Sequence, residues 1–218
     1  MTTKEKIKSK AVEIFNESGY GSVNLFELAN ELGISRGNIT YHYKDKEALL
    51  IAIVDEMWER INLVKQKTRQ FPSFQNLREE IRVYIKFQKE YPFIFHDNQV
   101  MKHAHVSKIF KTMADRSIED FEAAITFSIQ VGNMKKEPIP GAYNNLAIST
   151  WMLSFFWTAQ QTIRKDKNED NCEKVIWINI IPYFTEKGLA SFKKYFGIKY
   201  YNSLGKAFNK KINQFVTF

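Results

Sequence analysis

Apolar residues recur along this chain at three- and four-residue steps, and they nowhere alternate over the span that a strand needs. Ile7, Ala11, Ile14 and Phe15 form the first such stripe, and the glycines flanking Tyr20 end it. Leu25, Leu28, Ala29 and Leu32 form a second, shorter one. Asn24 is placed to cap that helix, and Glu27 to reach back to the amide of residue 24, which makes a capping box. Gly33 supplies the left-handed residue that stops it, and Ser35 caps the next helix. That third helix runs from Arg36 to about Tyr43, with Ile39 and Tyr43 four apart on its inner side. Two short helices joined by a tight turn form a helix-turn-helix, whose second helix enters the major groove of DNA.

The same period continues through the rest of the chain. Asp45 caps a fourth helix from Lys46 to about Arg69. Pro72 and Ser73 open another, which continues to about Glu90. Pro92 breaks it, a short helix follows near Phe93 to Met101, and a long one extends from about Val106 to Val131. Gly132 and the Pro-Ile-Pro-Gly run at 138–141 mark the largest loop. From Leu146 to Ala159 the chain is apolar on all sides, yet too short for a bilayer core of ~30 Å, which needs ~20 residues, so a buried helix is predicted. Val175 to Phe184 is a second such segment, and Pro182 should kink or restart it. The fold class is therefore all-α.

The outer side of the third helix carries the chemistry. Arg36 and Asn38 suit bidentate contacts to guanine and adenine edges, Tyr41 and His42 suit phosphates or thymine methyls, and Gly37 permits close backbone approach. Lys46, in the first turn of its helix, opposes the helix dipole, and a DNA phosphate is a natural partner for it.

Composition refines this picture. Of 218 residues 44% are hydrophobic and 15% aromatic, ample for a packed core. The single Cys172 excludes an internal disulfide and a multi-cysteine zinc site, and the N-terminus lacks the apolar stretch of a signal peptide; both fit a cytoplasmic protein. The net charge of +8 is misleading as a sign of DNA binding. Residues 1–50 carry seven basic and seven acidic side chains, while the stretch from Glu186 onward carries seven lysines and one glutamate. DNA contact must come from local placement, with Lys4, Lys6, Lys8, Lys10, Arg36, Lys44 and Lys46 gathered on one face.

The string from Gly33 to Leu50, G-I-S-R-G-N-I-T-Y-H-Y-K-D-K-E-A-L-L, preceded by F-N-E-S-G-Y at 15–20, resembles the tetracycline-repressor-like (TetR) family of bacterial transcription regulators. The resemblance implies a homodimer with a three-helix DNA-binding domain at 1–50 and a helical ligand-binding and dimerisation domain at 51–200. It implies DNA contacts from Ser35, Arg36, Gly37, Asn38, Thr40, Tyr41 and His42, a phosphate held by Lys46, and a palindromic double-stranded operator released when a small, mostly apolar inducer binds. Thr40 stands in a slot that the family usually fills with tyrosine, and Leu25 and Phe26 stand where the second helix usually offers polar groups.

The implied cavity would draw on the aromatic supply, with Tyr84, Phe87, Phe110, Phe121, Trp151, Phe155 and Gln160 as its candidate lining. The two apolar helices in the C-terminal half match those that pair between subunits in that family. His96, Asp97, His103 and His105 form a cluster with metal-ligand chemistry, but helical residues two apart point ~200° apart. They read as surface or hinge histidines, and no metal or cofactor is expected. No glycine-rich phosphate loop and no nucleophile motif argue for an enzyme. Leu204, Phe208, Ile212 and Phe215 predict a basic amphipathic tail at 201–218 that packs on protein, without stable membrane association. The rival reading is an all-helical interaction or scaffolding module whose helix-turn-helix no longer binds DNA, favoured by Leu25, Phe26 and the neutral first domain.

Overall fold

A computed structural model describes residues 1–68, 71–165 and 171–206. Among them every regular element is helical, and the single extended pairing is an isolated bridge between Met134 and Phe184. The helices are α1 (Thr3–Ser18), α2 (Leu25–Leu32), α3 (Arg36–His42), α4 (Lys46–Thr68), α5 (Phe74–Glu90), α6 (Pro92–His96), α7 (Asn98–Met101), α8 (Ala104–Gln130), α9 (Ala142–Phe155), α10 (Trp157–Arg164), α11 (Asn171–Ile180), α12 (Glu186–Phe196) and α13 (Ile198–Tyr201). The chain forms two compact units, one of residues 1–66 and 86–113, the other of 67–85 and 114–218. Neither unit is one continuous stretch of sequence, because α4, α5 and α8 contribute residues to both.

Local signals set the ends of the helices in the first unit. Asn24 Oδ1 accepts from the amides of Phe26 (2.9 Å) and Glu27 (3.0 Å), and Glu27 Oε2 accepts from the Asn24 amide (3.0 Å), completing the capping box. Gly33 is left-handed at φ +64°, and the Ile34 amide reaches the Ala29 carbonyl at 3.0 Å while Gly33 reaches Asn30, the Schellman closure of α2. The Ser35 hydroxyl accepts from the Asn38 amide (3.2 Å), and Asp45 Oδ1 from the Ala48 amide (2.8 Å). The core gathers Ile7, Ala11 and Phe15 of α1, Leu28 of α2, Ile39 of α3 and Leu49, Leu50 and Val54 of α4, all essentially inaccessible. Phe15 also packs edge-on to Tyr20 and against Phe93 of α6, each at 5.3 Å, so this core extends to residues far along the chain.

The second unit is built around Ile176, Trp177 and Ile180 of α11, packed with Phe74, Ile81, Phe121, Ile125, Leu146, Trp157, Phe184 and Phe192. One departure from the sequence pattern occurs here. The apolar run Leu146–Ala159 is two helices, because Phe156 leaves helical geometry (φ −105°, ψ 13°) between α9 and α10. This break turns Trp157 into the core, at 2% exposure, and leaves Phe156 at 41%. Of the basic amphipathic tail expected at 201–218, the described residues include a 3₁₀ turn at Leu204–Lys206 with Leu204 buried, and Phe208, Ile212 and Phe215 lie outside the described residues. Pro182 acts as anticipated, since α11 stops at Ile180 and a 3₁₀ turn, Ile181–Tyr183, follows.

Two side-chain clusters hold this unit. The Glu173 carboxylate, 3% exposed, meets the Arg78 Nε at 3.0 Å and the Arg82 Nε at 3.5 Å, and accepts from the Tyr200 hydroxyl. Glu173 is thus a buried charge with cationic and hydrogen-bonding partners. The turn at 131–133 is pinned from α12: Thr185 donates from its amide to the Asn133 carbonyl (3.0 Å) and from its hydroxyl to Gly132 (2.7 Å), while Lys187 Nζ donates to Val131 (2.6 Å).

Candidate nucleic-acid interface and ligand cavity

Helix α3 is fastened from one side only. Ile39 is fully buried and Tyr43, at its end, is 4% exposed, with its hydroxyl 3.4 Å from the Lys4 carbonyl. Burial pushes the Tyr43 phenol above its ordinary value, so it remains a neutral donor. The opposite side presents Arg36, Gly37, Asn38 and Tyr41 to solvent, with Thr40 and His42 half-buried at its edges. Tyr41 is 85% exposed and its ring meets His42 edge-on at 5.1 Å. An aromatic residue this exposed, beside Arg36 and Asn38, has no use for the core of its own unit; it suits contact with another surface. The Thr40 hydroxyl donates back to the Gly37 carbonyl (3.2 Å), and the Ser35 side chain is engaged in capping.

Lys46 has a structural role that its sequence context did not reveal. Its ammonium donates to the carbonyls of Tyr20 (2.9 Å) and Val23 (2.8 Å) and lies 4.3 Å from the centre of the Tyr20 ring. Partial burial lowers its pKa, opposed by the charge of Glu27. Three N–H donors with two carbonyls satisfied leave one directed elsewhere.

The seven cations of this region are not equivalent. Lys8 pairs with Glu56, and Lys10 bonds Glu13 (2.8 Å) and approaches Glu31 (3.5 Å), so both are neutralised internally. Lys44 is 88% exposed with only a loose pair to Asp45 at 3.7 Å, and Arg36 is exposed. Lys4 and Lys6 of α1 are exposed as well, so of the seven it is these two with Arg36 and Lys44 that face solvent.

In the second unit a cavity of about 560 Å³ opens among α5, α8 and α9. Of the aromatic candidates, Tyr84, Phe121, Trp151 and Phe155 line it, and the Tyr84 hydroxyl bonds Ser117 at 2.7 Å. Phe87, Phe110 and Gln160 do not. Phe87 stacks on Tyr91 and Phe110 on Phe95, both within the first unit, because helical spacing does not reveal which core a stripe enters. The wall also carries Asn76, Glu80, Arg116, Glu119 and Asp120, which reasoning from aromatic supply passed over. Asn76, Glu80 and Tyr84 recur every four residues along α5, which places them on one face of that amphipathic helix.

The histidines separate. His103 Nε2 is 3.0 Å from Glu47 and His105 Nε2 is 2.6 Å from Asp55, each facing a carboxylate of α4. Burial lowers the pKa of His96. Among the described residues no group of three or more His, Cys, Asp or Glu is arranged to hold a metal ion, and no helix is long and apolar enough to cross a membrane.

Comparison with known proteins agrees with this architecture. Residues 7–53 match the family described as bacterial regulatory proteins, tetR family, and residues 44–192 match one described as bacterial transcriptional repressor. The HTH-type transcriptional regulator RutR of Escherichia coli K12 is 28% identical over 90 residues, 41% of this chain and 42% of RutR. The likeness thus spans about two fifths of that curated relative's length. A TetR-family regulator from Marinobacter aquaeolei VT8 superposes with a TM-score of 0.76 at 18% identity, over 89% of this chain and 99% of that one. SmeT in complex with triclosan, SmeT being the repressor of a Stenotrophomonas maltophilia multidrug efflux pump, superposes with a TM-score of 0.65 at 13% identity, over 85% and 93%. With the helix-turn-helix and most of the following helices inside the two family matches, the chain belongs to the TetR family of bacterial transcriptional regulators.

Proposed function

We propose that this protein is a ligand-responsive repressor. It binds a palindromic operator as a homodimer through α3 and releases it when a small molecule enters the cavity of the second unit. The observation that carries the reading is the one-sided anchoring of α3, with Ile39 and Tyr43 buried and Arg36, Asn38 and Tyr41 exposed. A seven-residue helix reads too few base pairs alone, so two copies one helical turn apart, ~34 Å, are needed for specificity. Met152, Phe156, Ile163 and Ile178, large apolar residues exposed at 41–82% on α9 to α11, supply the face for pairing.

The inducer has an apolar body with a polar edge, since Trp151, Phe121 and Phe155 share the cavity wall with Glu80, Arg116 and Asp120. SmeT, similar in fold, is seen in complex with triclosan. Helix α4 begins at Lys46, next in sequence to α3, and ends at Thr68 on the cavity wall. A ligand that prefers one setting of that helix shifts the population of DNA-competent dimers. The protein acts in the cytoplasm, as a regulator and not as an enzyme.

Fluorescence anisotropy with the protein's own upstream DNA, across a salt series, tests this. Wild-type binding should weaken steeply with salt, and Arg36→Ala or Tyr41→Ala should reduce affinity at fixed salt. If both variants bind as wild type does, α3 is not the reading helix and the interaction-module alternative stands. A monomeric mass at micromolar concentration would remove the dimer.

A further inference from the structure

A second cavity of the same unit, about 490 Å³, lies between the N-terminal turn of α5, the C-terminal end of α8 and helices α11 and α12. It adjoins the first, for Pro72, Ser73, Leu77, Phe121 and Ala124 belong to both walls. The two lie end to end along one face of α8. Ser117, Phe121 and Ala124 line the first, and Phe121, Ala124 and Ser128 the second, at steps of four, three and four residues that keep them on a single stripe. From Ser117 to Ser128 that stripe rises ~16 Å.

The ends differ in chemistry. Glu80 and Tyr84 of α5 and Arg116, Ser117 and Asp120 of α8 stand on the wall of the first cavity alone. Phe74, Ile125, Phe127, Ile180 and Phe184 stand on the wall of the second alone. Where the cavities meet, Ala124 gives α8 only a methyl group, so the ridge between them is low there. Leu77 and Phe121 supply more of that ridge, and both are side chains, which a ligand can displace by a change of rotamer where backbone could not yield.

We propose that, with the first cavity read as the inducer site, the two together form one elongated site for a neutral single-chain amphiphile. Its hydrogen-bonding head lies in the first cavity and its alkyl chain runs along α8 into the second. Carboxylates and a guanidinium on the same wall suit a head that both donates and accepts hydrogen bonds. An extended alkyl chain rises about 1.3 Å per carbon, so about twelve carbons reach from Ser117 to Ser128. Each methylene that leaves water for the apolar end adds to affinity.

Calorimetry with 1-alkanols from hexanol to dodecanol, each kept below its solubility, tests this on the full-length protein. Wild-type affinity should rise about threefold per methylene across the whole series, with one dodecanol bound per subunit. In Ser128→Trp, which fills the second cavity from α8, the rise should end near octanol, and hexanol should bind within about twofold of wild type. A wild-type profile that levels off at octanol, two dodecanol molecules per subunit, or a Ser128→Trp profile like that of wild type overturns the elongated site. Should Ser128→Trp fail to fold, fluorine NMR of wild-type protein labelled with fluorotryptophan decides it. The resonance of Trp177, on the wall of the second cavity and assigned by its absence in Trp177→Phe, must move on adding dodecanol, and a resonance that stays fixed overturns the site. Anisotropy with the protein's own upstream DNA keeps the two readings apart. Dodecanol that binds with the expected profile but leaves the DNA complex intact removes the inducer role and supports the elongated site; a flat profile removes the elongated site and leaves the inducer cavity standing.

Discussion

Arg60 of α4 grips Glu90 at the end of α5 with both terminal nitrogens, at 2.5 and 3.0 Å, while its guanidinium lies 4.9 Å from the centre of the Phe87 ring. The Tyr91 hydroxyl joins at 2.6 Å. Within the first unit this ties the long helix after the recognition helix to residues thirty positions away.

The pair should report on pH. Burial raises the Glu90 pKa, but the Arg60 hydrogen bond and charge outweigh it and the net shift is downward from 4.5. The folded pKa lies below the unfolded one, so the stabilisation is fully present above the unfolded value and is lost as pH falls through the folded value. Arg60→Met should therefore lower stability at neutral pH by about 1 kcal/mol, discounted because both partners are about a third exposed. Urea melts of the variant and wild type should converge as pH falls below 4.5 through the lowered Glu90 pKa.

Lys46 and Arg36 should separate fold from DNA contact. Lys46→Met leaves the Tyr20 and Val23 carbonyls without their donor and should cost about 1–2 kcal/mol of stability as well as affinity. Arg36→Ala, at an exposed position, should leave the melting temperature unchanged and reduce only operator binding. Calorimetry beside anisotropy shows whether the two variants differ in this way.

Gly188 is where α12 meets the pinned turn. A Cβ there would fall 1.9 Å from the Asn133 carbonyl oxygen, which is backbone and cannot rotate aside. Gly188→Ala should therefore destabilise by about 2 kcal/mol or more, whereas Gly205→Ala, with open space around its added Cβ, should be nearly neutral. Thermal melts of the pair provide the comparison.

Cys172 is fully buried in the second core, and burial followed by the nearby Glu173 charge pushes its thiol far above the ordinary range. The native protein should resist a thiol reagent at pH 8, and labelling should rise only across the urea transition. Fast labelling without denaturant would show that α11 opens locally.

The helical architecture was legible from sequence because its signals are short-range. The capping box at Asn24 and Glu27, the left-handed Gly33 and the exposed set on α3 all follow from residues at most five apart. The cavity lining was half legible: Tyr84, Phe121, Trp151 and Phe155 meet there, while Phe87 and Phe110 went to another core. A periodic stripe shows that a residue is buried, not what buries it.

Sequence alone thus determined the all-α fold, the helix-turn-helix and the residues that face away from its core, since backbone hydrogen bonds within a turn or two enforce them. Tertiary structure decided the rest. It took Lys46 into the carbonyls of the α1–α2 turn, neutralised Lys8 and Lys10 and left Lys44 exposed. It joined residues 86–113 to the helix-turn-helix in one unit and sorted the aromatics of the second unit between solid core and two cavities. Each of these depends on groups distant in the chain, whose approach is set by how whole helices pack and which polar atoms that packing leaves to be satisfied.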